Sequence, residues 1–329
     1  MAHHLFNKTN APVFLAFFML VAAAIVTLAT SPEEKIKGQL LFPDIQKIMP
    51  EVVAINLDKG VEPLTLVKNG EGNWFIGEMD AYPANKAKVE RLIRQFSEFR
   101  VEDIVTSNTS AFVRLGVEEP SEAAATLRVS FVDLGGKTPV SLIIGARAGG
   151  NTFYARKDGS LQVYVVKGDF DYEPGPSFWA GAKLIGVDSA QIVKITLTDL
   201  QTKPAEELVY SRAKGGEPFS YKANFKTKTP ILISDAERIA NGFANISFTK
   251  ARLLETLSEK DIKTVFKTEA QTVNGDIYTI NFVKVGKDDL WVEVLSSLPE
   301  VNKKTEGWLY QLPLKQILNL LPPPEMAKE

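Results

Sequence analysis

Four segments of one stretch determine the fold class of this chain: VAINL (53–57), LTLV (64–67), WFI (74–76) and KAKVERLIRQFSEF (86–99). The first three segments are short, β-rich and separated by turn-forming residues, which predicts a three-stranded meander. The fourth segment places five apolar residues on one helical face: Val89, Leu92, Ile93, Phe96 and Phe99. Asn85 precedes it as an N-cap. The stretch therefore predicts a β-β-β-α unit.

Further strands are predicted at residues 125–132, 140–145, 152–156 and 162–166, where β-forming runs are separated by glycine-containing turns. The turn at Gly149-Gly150 lacks the G-x-G-x-x-G or G-K-[ST] context of a phosphate-binding loop, so it predicts a hairpin. Residues 170–179 contain Pro174 and Pro176 and indicate an irregular domain boundary.

The same order of elements then begins again. Residues 192–197, 208–212 and 215–221 follow the pattern of the first meander, and 234–237 resemble a capping box at the start of a second helix. Strands at 277–285 and 290–295 and a helix at 314–320 complete this half. The sequence predicts an α+β fold with an internal duplication, in which two related domains each combine an antiparallel sheet with a helix.

The segment from Ala11 to Ala29, APVFLAFFMLVAAAIVTLA, contains no charged residue. About 20 apolar residues are needed to cross the ~30 Å hydrocarbon layer as a helix. We therefore expect a transmembrane anchor at 11–30, with the lipid bilayer as the partner of this segment. A cleaved signal peptide is the alternative, although this apolar core is longer than usual and lacks a good small-x-small cleavage site.

The flanking charges predict the orientation of the anchor. Lys8 precedes it, whereas Glu33 and Glu34 follow it, and cytoplasmic flanks tend to carry the positive charge. We expect a single-pass protein of the inner (cytoplasmic) membrane, with its N-terminus in the cytoplasm and its bulk in the periplasm or outside. The expected divisions are residues 1–10 cytoplasmic, 11–30 anchor, 31–50 linker, 51–180 first domain, 181–320 second domain and 321–329 a Pro-rich tail.

Composition excludes several classes of function. The net charge is −2, so no basic surplus is present to neutralise phosphates, and nucleic acid is not an expected partner. The chain has no cysteine, and its histidines are His3 and His4, ahead of the anchor. Ser-His-Asp and Cys-His catalysis and most zinc or copper sites are therefore excluded from the exterior part.

The remaining candidates for chemistry are carboxylates. Asp169, Asp171 and Glu173 alternate and could offer oxygens to calcium, but they lack the twelve-residue loop, which favours a solvated loop. Ser-Lys catalysis needs a serine and a lysine held together in a low-dielectric pocket, and the sequence indicates no such pair. The sequence predicts no catalytic, cofactor-binding or metal-ligating residue. Two other acidic pairs are expected at the surface, Glu102-Asp103 and Glu118-Glu119, and Asp288-Asp289 is expected in a hairpin turn. The four tryptophans are expected in the core, with a docking spot at residues 178–179 as the alternative: Trp74, Trp179, Trp291, Trp308.

Several motifs occur in one order that resembles domain-of-unknown-function family 4340. They are residues 53–74, the helix after Asn85, the Leu-Gly-Val…Pro turn at 115–120, and the strands LIIG (142–145), FYAR (153–156) and VYVV (163–166). The resemblance covers residues 52–168 well and the second half more loosely. It implies an N-terminal membrane helix, a large extracytoplasmic part and genes that lie beside those of ABC transporter subunits. It implies no catalytic motif.

Together, the residues and the resemblance predict a membrane-anchored extracytoplasmic interaction module, an accessory of an ABC-type transport system whose subunits are its partners. Two alternatives remain open. One is a solute- or polymer-binding protein with its site between the two domains. The other is a carboxylate-dependent envelope hydrolase, which needs two Asp or Glu roughly 5–10 Å apart in a cleft.

Overall fold

The computed structural model describes residues 36–61, 63–124, 126–172, 175–226, 230–287 and 289–321. Large antiparallel sheets and short helices confirm the α+β class. Within these ranges no helix is long and apolar enough to span a membrane. The predicted anchor from Ala11 to Ala29 and most of the predicted tail lie outside the described residues.

The strands are β1 Val52–Asp58, β2 Leu64–Lys68, β3 Trp74–Ile76, β4 Tyr82–Pro83, β5 Arg100–Thr106, β6 Leu127–Asp133, β7 Val140–Gly149, β8 Thr152–Lys157, β9 Val163–Lys167, β10 Lys183–Ile185, β11 Ile192–Asp199, β12 Glu206–Ser211, β13 Ser220–Ala223, β14 Ile246–Ser247, β15 Lys250–Leu253, β16 Ile262–Thr272, β17 Ile277–Val285, β18 Asp289–Ser296 and β19 Trp308–Gln311. The α-helices are α1 Ile45–Ile48, α2 Lys86–Glu98, α3 Phe112–Leu115, α4 Pro176–Ala180, α5 Ile233–Gly242, α6 Pro299–Thr305 and α7 Leu314–Leu320.

The described chain divides into two compact units. The first contains the described residues up to Pro63 together with Glu90–Asp171, and the second contains Leu64–Val89 and the described residues from Tyr172 onward. A nine-stranded sheet contributes six strands to the first unit, in the order β1-β6-β7-β8-β9-β5, and three to the second, in the order β4-β3-β2. The second unit also contains an eight-stranded sheet, β13-β12-β11-β16-β17-β18-β19-β15, and the small pair β10-β14.

Helix α2 follows the predicted pattern closely. Asn85 caps it, accepting a hydrogen bond from the Lys88 N–H at 3.2 Å, as the sequence predicts. In the first unit Phe96 is fully buried and its ring centroid lies 5.0 Å from that of Phe131 on β6. Removing a buried phenylalanine of this kind costs about 3–5 kcal/mol. The apolar face of α2 is therefore a main element of the core.

The two sheets share one strand order. The sequence β1-β6-β7-β8-β9-β5 is matched position by position by β11-β16-β17-β18-β19-β15, and the pair β3-β2 is matched by β13-β12. In both cases the first strand pairs antiparallel with a strand about 70 residues later, since β1 pairs with β6 and β11 with β16. This correspondence extends beyond the elements that the sequence made visible.

The residues ahead of β1 take part in the first unit. The N–H of Gly38 donates to the oxygen of Val101 at 2.7 Å, and the N–H of Val101 donates to the oxygen of Gln39 at 2.9 Å. Leu41 and Ile45 are buried. Part of the predicted linker therefore pairs with the start of the edge strand β5.

Two local predictions were wrong. The second helix, α5, begins at Ile233 rather than at a capping box, and its N-cap Leu232 makes no side-chain cap. Asp235 instead pairs with Arg238 at 3.0 Å, because both lie inside the first turns of the helix. Within the segment predicted to be irregular, Pro176–Ala180 form α4, since Pro176 occupies a first-turn position where its missing N–H is harmless.

Candidate functional site

The first unit contains a surface cavity of about 360 Å³. It lies where β8 ends and β7 begins. Its lining residues are Phe42, Thr138, Pro139, Ser141, Lys157, Asp158 and Gly159.

A tight turn after β8 shapes this cavity. Gly159 has φ +73°, a conformation that residues with a Cβ rarely adopt. The Asp158 N–H donates to the backbone carbonyl oxygen of Ser141 at 3.1 Å, which holds the turn against β7. As a result the side chains of Ser141, Lys157 and Asp158 line one opening.

Lys157 supplies the positive charge of the cavity. Its Nζ lies 5.1 Å from the centroid of the Phe42 ring, a distance at which the ring attracts a cation. Burial lowers the pKa of Lys157 below its usual value of 10.5. Within the described residues Lys157 forms no ion pair, so its ammonium group is available to an anionic ligand.

Ser141 is held by hydrogen bonds to other groups. Its Oγ lies 2.7 Å from the Ser130 Oγ and donates to Asp158 Oδ2 at 3.2 Å. No hydrogen bond to Lys157 is present among the described contacts. A serine nucleophile needs a base within hydrogen-bond reach, so this arrangement suits binding better than acyl transfer.

Three carboxylates converge beside the cavity, but they surround an arginine. Arg128 lies 3.7 Å from Asp58 and 3.6 Å from Asp158, and it also pairs with Glu119. A carboxylate-dependent hydrolase needs room between its two acids for the substrate. Here the guanidinium group fills that room, which indicates an ion-pair network rather than a catalytic pair.

Arg156 extends the network into the interior. It is 4% exposed, and it donates to the oxygens of Val117 and Ser160, each at 3.0 Å, and to Glu119 at 2.6 Å. Its guanidinium carbon lies 4.9 Å from the centroid of the Phe112 ring. The sequence predicts an ordinary surface pair at Glu118-Glu119, whereas in the fold Glu119 binds both Arg128 and Arg156.

The sequence favours a solvated loop over a calcium site for the alternating carboxylates from Asp169 to Glu173. Asp171 pairs with Arg91 at 3.2 Å, and both side chains are about half exposed. Glu173 and Asp288 lie outside the described residues, and Asp289 begins β18. Among the described residues no group of three His, Cys, Asp or Glu is placed to hold a metal ion.

The tryptophans occupy the positions expected of core residues in three of four cases. Trp74, Trp179 and Trp291 are 7%, 1% and 7% exposed, and Trp308 is half-buried. The alternative of a docking spot at 178–179 is wrong for Trp179, because its ring is inaccessible. The Lys88 Nζ lies over the Phe178 ring, 3.8 Å from the ring centroid.

Comparison with known proteins gives a family. The family model described as Domain of unknown function (DUF4340) matches residues 74–267, which is more than half of the chain. The match confirms the family resemblance of the sequence and extends well into the second half. Neither the curated proteins nor the solved structures gave a match.

Proposed function

Since the chain belongs to the DUF4340 family, we propose that it is a single-pass, membrane-anchored extracytoplasmic interaction module. In this proposal it serves as an accessory component of an ABC-type transport system and binds that system's membrane subunits. Its mechanism is presentation: the anchor fixes the position of the chain, and its sheets offer edges and faces to a partner.

The observation that carries the proposal is the repeated strand order of the two large sheets. We infer that the chain contains an internal duplication of an antiparallel-sheet-plus-helix unit, as the sequence pattern predicts. A duplicated scaffold provides two similar binding surfaces on one chain. The carboxylates and arginines beside the cavity form ion pairs with one another, which supports a scaffold role over a hydrolase.

The membrane assignment rests on sequence. The segment from Ala11 to Ala29 has the length and apolar character of a span. The charges around it favour a cytoplasmic N-terminus and an exterior bulk. We propose that this segment anchors the protein in the inner membrane.

The proposal is tested by crosslinking the full chain in native membranes and identifying the proteins that co-purify. The matched control is residues 1–50 fused to an unrelated folded domain, which keeps the anchor and removes both sheets. We expect transporter subunits with the full chain but not with the control. Recovery of the same subunits with both proteins would show that the anchor alone makes the contacts and would refute the proposal.

The cavity beside Lys157 favours a second candidate, the binding of a small anionic solute in the first unit. Its cation, hydroxyl groups and volume suit a carboxylate-bearing ligand. A panel of small carboxylates and phosphates is screened for a rise in the midpoint of thermal unfolding. A rise that disappears in Lys157→Gln supports this candidate, and the absence of any rise, or its persistence in the variant, excludes it.

A further inference from the structure

Strand β13 ends the eight-stranded sheet, and its register shows which backbone groups point outward. Tyr221 lies opposite Tyr210 and Ala223 opposite Leu208 on β12. The N–H of Asn224 donates to the oxygen of Glu207 at 3.1 Å. Because hydrogen-bonded pairs alternate along an antiparallel ladder, Ser220 and Lys222 bond to β12, and Tyr221 and Ala223 direct their N–H and C=O groups away from the sheet.

In the matching place of the nine-stranded sheet, the chain supplies its own additional strand. There β3 pairs on its outer side with β4, through Phe75 with Pro83 and Ile76 with Tyr82. The ring of Tyr82 is buried. Among the described residues, no strand pairs with the outer side of β13. The two sheets therefore differ at this edge, and β4 shows what kind of segment covers it.

Exposed apolar side chains border the open edge on its inner face. Tyr221 is 48% exposed and Leu232 is 56% exposed. Tyr210 joins them, since its ring centroid lies 6.3 Å from that of Tyr221 and its hydroxyl donates to the Leu232 oxygen at 3.2 Å. We define Tyr221 and Leu232 as the apolar shelf. An inward-facing side chain of an added strand would lie against this shelf.

On the opposite face, the outermost strand carries one positive charge. Lys222 points to the other side of the sheet from Tyr221, because neighbouring residues of a strand alternate. Lys222 is exposed and forms no ion pair with a described residue, while Glu207 on the neighbouring strand β12 lies on the same face, farther from the outer edge. A second copy of β13 added antiparallel, with Lys222 in the central pair, would bring lysine against lysine, which is unfavourable. The charge therefore selects an acidic partner.

We propose that the outer edge of β13 is a strand-addition site for an extended acidic segment of a partner protein. The added strand runs antiparallel and exchanges hydrogen bonds with Tyr221 and Ala223. A carboxylate on this strand faces Lys222, and the apolar residues on either side of it lie on the apolar shelf. The inference deepens the proposed function, on which it rests, by assigning the binding surface and the chemistry of the partner.

The test uses the purified full chain in detergent and two labelled probe peptides, one with alternating isoleucine and glutamate and one with alternating isoleucine and lysine. Binding is measured by fluorescence anisotropy. We expect the glutamate peptide to bind at least about fivefold more tightly than the lysine peptide, an effect of the size that one partly exposed ion pair gives. Equal binding of the two peptides, or binding of neither, overturns the inference.

Two variants locate the binding. Lys222→Glu should reverse the preference between the two peptides. Ala223→Pro removes one outward N–H, a change that an edge strand tolerates, and should weaken binding by about tenfold. The matched control is Lys194→Glu, which makes the same charge change at an exposed position of the same face, on β11, two strands from β13. An unchanged preference in Lys222→Glu overturns the inference even if Ala223→Pro fails to fold.

Failure of this inference can be distinguished from failure of the proposed function. If transporter subunits co-purify equally with the wild-type chain and with Lys222→Glu, and the peptides do not discriminate, the interaction role stands and the β13 edge is not its surface. If no subunit co-purifies but the peptide preference reverses as expected, the edge binds acidic strands and the transport role fails.

Discussion

Arg156 is the side chain whose replacement should most destabilise the first unit. Its guanidinium group donates to two backbone oxygens and to Glu119 in an almost fully buried position. Arg156→Met leaves those oxygens without donors, and we expect it to lower the free energy of unfolding by about 3 kcal/mol. The measurement is urea denaturation followed by circular dichroism.

Two further variants sharpen this prediction. Arg156→Lys keeps the charge but lacks the planar fork, so it should recover little of the loss. Arg114→Met removes an exposed arginine from α3 and should leave stability almost unchanged. Equal effects of Arg156→Met and Arg114→Met would show that the buried contacts contribute nothing.

Buried tyrosines should make the protein sensitive to alkali. Burial raises the pKa of Tyr172 to about 12, and it also raises the pKa of Tyr82 and Tyr310 above the usual 10.0. In the unfolded chain these hydroxyls ionise near pH 10, whereas in the fold they keep their protons. The unfolded state then binds fewer protons, so the free energy of unfolding falls as the pH rises above about 10.

The measurement is a titration of tyrosinate absorbance compared with circular dichroism across the same pH range. We expect the buried tyrosines to ionise over the same pH range in which the circular dichroism shows loss of the fold. Tyr310→Phe should make the alkaline loss of stability less steep, although it also removes the hydrogen bond to the Lys304 oxygen. Full ionisation while the circular dichroism stays native would contradict the prediction.

At the residue scale, the sequence predicted interactions between chain neighbours better than contacts between residues on different elements. Asn85 was predicted as an N-cap because capping depends on a neighbouring N–H. Glu119 was not predicted as an arginine ligand, since it lies in a loop and its partners Arg128 and Arg156 lie on strands β6 and β8. The Lys157 cavity was missed for the same reason: its residues are brought together from the lead-in, β7 and β8.

At the scale of elements, the interior of β7 depends on a glycine. A Cβ at Gly145 would lie 2.6 Å from the Gly116 oxygen and 2.7 Å from the Val117 side chain, and also against the Leu115 oxygen. Backbone atoms cannot yield as a flexible side chain can. We therefore expect Gly145→Ala to cost about 3 kcal/mol of stability, measured by urea denaturation.

The control for this prediction is Gly70→Ala. Gly70 lies in the turn before β3, and an added Cβ there meets no atom within 4 Å. We expect a change in stability of less than about 0.5 kcal/mol. A Gly145→Ala protein as stable as the Gly70→Ala protein would mean that the segment from Leu115 to Val117 can move away from β7.

Elements with a regular apolar period were predicted well, and irregular ones were not. Helix α2 was predicted at 86–99 and ends at Glu98, and α7 matches its predicted bounds. Strand β16 was missed. A register shift between Thr264 and Phe266 changes which residues face the core, and the buried positions after it include Thr268 and Thr272 rather than large apolar residues.

At the scale of the whole molecule, the anchor should be separable from the rest. We expect a chain lacking residues 1–35 to remain folded, because the described core begins at Leu41. It should leave the membrane fraction, whereas the full chain should resist extraction with alkaline carbonate. Fractionation and circular dichroism are the measurements, and a truncated chain that still sediments with membranes would contradict the proposed anchor.

The sequence predicted the order of elements along the chain but not the order of strands in the sheets. Alternation identifies β1 and β6 as strands, yet nothing local indicates that they pair across about 70 residues. The similarity of the two halves was visible as a repeated pattern. The matching positions of β5 and β15 at one end of their sheets became visible only with the fold.

The pairing of residues 38–41 with β5 has a mechanical consequence. An extended chain covers at most about 3.6 Å per residue, so the stretch from Ala29 to Gly38 reaches about 30 Å at full extension. If Ala11 to Ala29 is the membrane anchor, a short tether connects it to the first unit. The attachment point at Gly38 then stays within that distance of the bilayer surface, so a partner that binds the first unit must act beside the membrane.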